Sequence, residues 1–295
     1  MPLPDLPARP LLRPGVHVCR RSASELQVGL DPALAVVVPD APEVRDALAG
    51  LAQGALATDP GPAVGRLVTR LQERGLLVDG DTWLAGLGDA HSPEAAGSLT
   101  ALVADHGCDA GAVLEQRRAT GVLVDDHGLP RTAARLRVLL DQAGVGHGDD
   151  LVVLVCAQEP DRELVDHWMR EDVPHLLVTA SEGILRLGPF VDPGRTACLR
   201  CLDATATERD PRHGLVLQQY ADTAAAPESL PAPLPADLLE IAVGHLARDV
   251  TRWVDGLLPR TWSATVRLDA ELDLAPRPLA RHPGCGCAWA TAAAG

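Results

Sequence analysis

Near the amino terminus, apolar and polar positions alternate in short runs. Residues 16–19, 26–30 and 35–38 are rich in β-branched side chains and bounded by Gly, Ser, Asp or Pro, the pattern of a small antiparallel meander. Past Pro39-Asp40-Ala41-Pro42 the period changes. Val44, Ala47, Leu48 and Leu51 recur at helical spacing behind Pro42, which suits a first helical turn. Beyond the breaker Asp59-Pro60-Gly61-Pro62, Val64, Leu67, Val68 and Leu71 share one face of a second helix that ends at Gly75. Leu76-Leu77-Val78 and Thr82-Trp83-Leu84 flank Asp79-Gly80-Asp81 and predict a hairpin. Three strands, two helices and a hairpin together predict a winged-helix-like module over residues 1–88, with a linker at 86–92.

The rhythm then becomes strand and helix in alternation. Ser92-Pro93-Glu94 predicts a capped helix to about residue 105. Strands are predicted at 121–124, 151–157 and 175–179, helices at 130–143 and 161–171, and a further apolar run at 184–187. This is the signature of a mostly parallel sheet with helices on its faces, so residues 89–295 read as an α/β domain. Residues 204–235 are polar and rich in Pro and Ala, a crossover loop with some helix; a helix at 235–257 and strands within 261–274 follow.

Composition removes several classes of function. Apolar residues make up 46% of the 295 and the net charge is −14, which disfavours nucleic acid and anionic membrane as partners. The longest apolar run, 151–157, is far short of the roughly 18 residues of a membrane span, and residues 1–10 lack a secretory apolar segment, so a cytoplasmic location is expected. All 26 basic residues are Arg. Without Lys there is neither a Schiff-base amine nor a phosphate-loop lysine.

Of seven cysteines, Cys19, Cys108 and Cys156 stand singly and read as ordinary thiols. The other four form two tight pairs, Cys198-Leu199-Arg200-Cys201 and Cys285-Gly286-Cys287, each beside a Pro-Gly turn. In a reducing compartment two such pairs point to one tetrahedral Zn2+, structural because four thiolates leave no open position. Unligated thiols and a redox-active pair are the competing readings. His282 adjoins the second pair without being needed as a ligand.

The first strand-to-helix turn of the α/β part reads Val124-Asp125-Asp126-His127-Gly128-Leu129-Pro130. One glycine and two carboxylates stand where a phosphate cradle needs glycines, so no ATP site is expected. Gly144-Val145-Gly146-His147-Gly148 follows a helix and reads as a cap and loop. Asp125, Asp126 and His127 read as a solvated turn, and no catalytic constellation is apparent.

The run 188–203 around Cys198 and Cys201, with Arg281-His282-Pro283-Gly284-Cys285-Gly286-Cys287, resembles the ThiF-like (ubiquitin-activating-type) proteins of thiazole/oxazole-modified microcin (RiPP, TOMM) biosynthesis. The resemblance implies a winged-helix-like recognition element, a zinc-bearing domain without adenylation activity, a YcaO-type cyclodehydratase as partner, and a possible homodimer. It further implies that a precursor's leader peptide adds as a strand along Ala35, Val36, Val37 and Val38, facing the helix that carries Arg66, Arg70 and Arg74. Those arginines line one helix face and are expected to attract acidic leader side chains; a solvated face is the plainer reading. An active adenylating enzyme and a winged-helix DNA-binding regulator are the alternatives. Against the latter, residues 1–85 carry eight arginines and ten carboxylates.

Overall fold

A computed structural model describes residues 6–58, 61–88, 90, 92–224 and 233–287. The expected breaker residues Asp59 and Pro60, residues 89 and 91 of the expected linker, the first five residues and part of the 204–235 segment lie outside these. The chain divides into two compact units, Met1–Glu115 and Gln116–Gly295.

In the first unit, β2 (Val18–Arg20), β3 (Glu25–Val28) and β4 (Val36–Pro39) form the expected antiparallel meander, in the order β2-β3-β4. Helices α1 (Pro42–Leu51) and α2 (Pro62–Glu73) follow, each with Pro in its first turn. Val28, Val36 and Val38 from the sheet and Leu48, Leu51, Val68 and Leu71 from the helices are buried in one cluster. The predicted hairpin is absent. β5 (Leu77–Asp79) pairs instead with β1 (Pro10–Leu12), and α3 (Gly80–Gly88) takes the place of the second hairpin strand. The reason is Asp79: its carboxylate accepts from the Asp81 amide and the Thr82 hydroxyl, so the residue that resembles a turn former starts a helix. α4 (Pro93–His106) is capped by Ser92, whose Oγ accepts from the Ala95 amide at 3.1 Å, as expected. With α5 (Ala110–Ala119), a helix the sequence pattern did not announce, it buries Leu99, Leu102, Val103 and Leu114 against Leu11 and Val78.

The second unit is built on a seven-stranded sheet of order β12-β11-β10-β9-β8-β6-β7. Its strands are β6 (Gly121–His127), β7 (Gly146–His147), β8 (Leu151–Cys156), β9 (His175–Ser181), β10 (Ile184–Val191), β11 (Ala264–Leu268) and β12 (Arg277–Pro278). β6 to β9 pair in parallel, and β10 to β12 continue antiparallel, so five of the seven strands run one way. The apolar run expected as a strand is the central β8, buried at every position as a strand covered on both faces must be. Val153 and Val155 face α6 (Pro130–Gln142) and α10 (Ala236–Val254); Val152 and Leu154 face α7 (Arg162–Arg170) and α8 (Leu199–Arg209). The chain's single phenylalanine, Phe190, is fully buried against Trp253 and Trp262 at centroid distances of 5.9 and 5.8 Å. Strands β6 and β10 run longer than expected, and the region read as mostly loop holds α8 and α9 (His213–Ala224). Gly121 and Gly148 pack backbone to backbone, where a Cβ would lie within 3 Å of the opposing chain, so this glycine-rich stretch serves close approach. Among the described residues no helix is long and apolar enough to cross a membrane.

Candidate functional site

Cys198 is the N-cap of α8 and Cys201 lies in its first turn, so both sulfurs sit at the positive end of a helix. Cys285 and Cys287 reach them from a turn in which Gly286 adopts φ of +79°, a conformation that favours glycine and lets two cysteines one residue apart face the same point. All four Sγ atoms lie within 4.8 Å of one another, with Cys201–Cys287 at 3.4 Å, Cys198–Cys285 at 3.5 Å and Cys198–Cys201 at 3.8 Å. A tetrahedral zinc with bonds of about 2.3 Å has sulfur–sulfur edges of roughly 3.8 Å, so the cluster has the dimensions of a four-thiolate metal site. The donor set fits the ion.

The electrostatics agree. A hydrogen bond from Cys198 lowers the Cys201 thiol to about 4, whereas that same bond, together with burial, holds Cys198 far above the usual thiol range. Burial pushes Cys287 up to about 11. Closely packed sulfurs cannot all ionise without a cation to replace their protons. His282 serves the cluster through its backbone: its N–H points at Cys201 Sγ, 3.3 Å away, while its ring bonds Glu208. Of the single cysteines, Cys19 is exposed, and Cys156 is buried with a pKa raised to about 12 by desolvation, the state of an inert thiol.

Beside the cluster, Arg162 holds Asp203 through two bonds of 2.8 and 2.9 Å and Glu159 through a third of 3.0 Å; Arg186 adds a fourth, to Glu159. This network joins residues distant in sequence, and no spacing announced it.

At the turn after β6, the Asp126 carboxylate accepts from the amides of Gly128 and Leu129 at 3.1 and 2.8 Å. These are the amides that a phosphate cradle would offer, and a side chain of the protein already engages them. Asp125 and His127 pair at 2.9 Å at the solvent-exposed end of β6, solvated as expected but in strand rather than turn.

Of the remaining residues singled out by sequence, Val36, Val37 and Val38 lie on β4, Ala35 precedes the strand, and Arg70 and Arg74 reach its backbone and the turn before it. β4 has β3 on one side only. Val36 and Val38 face the core, and Val37 is partly exposed. The Asp40 amide donates to Ser24 O, which fixes the alternation of the ladder: Val38 and Val36 direct their backbone groups at β3, and Val37 directs its N–H and C=O outward. From α2, Arg70 donates to that outward Val37 carbonyl at 2.8 Å, and Arg74 donates to Ala33 O at 2.7 Å in the turn before β4. Arg66 is exposed one turn earlier on the same helix. The structure thus brings Val37, Arg70 and Arg74 together, but with two guanidiniums on backbone oxygens, a contact helical periodicity alone does not reveal.

No family model and no curated protein matches the chain. Solved structures do. The heterocyclase TruD matches with TM-score 0.69 at 19% identity over 96% of this chain, and a heterocyclase in complex with substrate and cofactor with TM-score 0.66 at 19% over 95%. The fold is similar to theirs. The chain spans 43% and 39%, about two fifths, of those two proteins. MccB of E. coli, solved with MccA, matches over 95% of this chain and 99% of its own with TM-score 0.62 and 12% identity; its structure with ATP matches with TM-score 0.60.

Proposed function

We propose that the chain is a non-catalytic docking protein of thiazole/oxazole-modified microcin biosynthesis. It holds the leader peptide of a ribosomally made precursor as a strand added to β4 and presents it to a YcaO-type cyclodehydratase. In this reading residues 1–88 are a winged-helix-like recognition element, and residues 89–295 a ThiF-like domain whose Cys198, Cys201, Cys285 and Cys287 hold a structural Zn2+. The ion supplies a cross-link between α8 and the Cys285–Cys287 turn and no chemistry.

The observation that carries the reading is the β4 edge, where Val37 offers an outward donor and acceptor beside an arginine-lined helix. Main-chain pairing gives such an edge affinity for extended peptides, and alternate side-chain positions give selectivity. The likeness to heterocyclases and to MccB supports it, as does the Asp126 carboxylate on the amides that a nucleotide phosphate would need. Titration of the full chain with the precursor peptide encoded beside its gene should give micromolar or tighter binding. Val37→Pro, which removes only an outward donor, should weaken it at least about tenfold. Absence of binding would end this reading.

A second reading, an ATP-dependent adenylating enzyme, draws on the near-complete coverage of MccB, solved with ATP. Pyrophosphate exchange by the isolated chain separates the two: the docking reading expects none.

A further inference from the structure

Open strand edges invite indiscriminate pairing and need protection. Here Arg70 occupies the Val37 carbonyl, the acceptor an added strand must use, while Arg74 secures the turn that leads into β4. Both side chains are exposed, so each can swing away.

Arg66 and Arg70 lie on α2 and Arg74 is its C-cap residue; at intervals of four residues they are spaced about 6 Å along the helix axis. Alternate residues of an extended strand are about 6.6–6.8 Å apart. The two repeats are nearly commensurate over three positions. Carboxylates at every second residue of an extended peptide would match this arginine spacing. A second copy of this chain suits the edge poorly, because its own arginines would face these.

We propose that Arg70, on the edge carbonyl, and Arg74, on the turn before it, guard the β4 edge, with Arg70 the one that a peptide displaces, and that the peptide class admitted carries acidic side chains at alternate positions. This rests on the edge-capture reading above. On binding, a peptide amide replaces Arg70 on the Val37 carbonyl, the Val37 amide gains a peptide carbonyl, and the freed Arg70 guanidinium moves to a carboxylate, while Arg74 keeps Ala33 and attracts a second carboxylate through its remaining N–H groups. A charge-assisted, bidentate contact is stronger than the neutral carbonyl it leaves, so the exchange favours an acidic peptide and is neutral or worse for an uncharged one.

The test is selection of a displayed random dodecapeptide library on the immobilised full chain, followed by binding of the selected peptides, made synthetically, to wild type, R70Q/R74Q, R70K/R74K and V37P. The expected result is enrichment of Asp and Glu at alternate positions. Glu→Gln exchange at two of them should weaken binding about tenfold to wild type, less to R70K/R74K, and negligibly to R70Q/R74Q, with thermal midpoints alike for all four proteins. Peptides lost on V37P but without the acidic pattern, or indifferent to R70Q/R74Q, overturn the guards and leave edge capture standing. Peptides unaffected by V37P overturn edge capture and the guards with it. Self-association of the wild type that V37P abolishes shows a second copy on the edge and likewise overturns the proposal.

Discussion

The two units of this protein treat their polar groups in opposite ways. In the second unit, charge and sulfur are turned inward: four thiols converge on one point, Arg162 is clamped between Asp203 and Glu159, and Arg117 grips Asp255 through two bonds of 2.7 Å with both side chains more than nine-tenths buried. In the first unit, a backbone donor and acceptor face outward at Val37, screened by one exposed guanidinium. Polar groups committed to each other inside the fold belong to its framework, whereas a backbone acceptor covered only by an exposed side chain lies within reach of solvent.

Removing the sulfur cluster should break this contrast most severely. A C198S/C201S variant should bind less than half an equivalent of zinc. It should lose more than about 5 kcal/mol in the second unit, given that structural zinc contributes roughly 10–16 kcal/mol in small metal-dependent folds. Hydrogen exchange should show the loss confined to β6–β11, with β2–β4 unchanged; equal protection in both proteins would contradict a metal-held framework. Next in size is Phe190→Ala. Emptying the space between Trp253 and Trp262 should cost about 3–5 kcal/mol by denaturant titration.

Acid should also discriminate between the units. His175 is fully buried, and desolvation lowers its pKa from 6.5 to about 4. Between those values the unfolded chain binds a proton that the folded chain does not, so acidification favours unfolding, and the dependence vanishes below about pH 4. From pH 7 to 5 this group alone should remove about 2 kcal/mol from the second unit. His175→Gln should flatten that part of the profile. The smallest expected effect is Ser92→Ala, which removes the α4 cap in the first unit and should cost about 1 kcal/mol.

What could be read from sequence follows the same division. The meander, α1, α2 and the buried β8 announce themselves because their periodicity is local, and the cysteine pairs do because ligand spacing is local chemistry. β1 escaped notice because Pro10-Leu11-Leu12 is short and its partner β5 is remote. The α3 sequence reads as a strand because Asp-Gly marks a turn, yet Asp79 can equally cap a helix. The arginine face of α2 was legible as a stripe. Its engagement with Val37 and Ala33 was not, because packing between elements decides what a helix face meets. The Arg162–Asp203–Glu159 clamp left no signal for the same reason.

Amide hydrogen exchange of the full chain with and without the precursor peptide encoded beside its gene addresses the central claim at one atom. Edge capture predicts that the Val37 amide slows by about tenfold or more when peptide binds, with Val36 and Val38, already directed at β3, unchanged. Bound peptide with an unaltered Val37 amide, or protection arising only in the second unit, would contradict it.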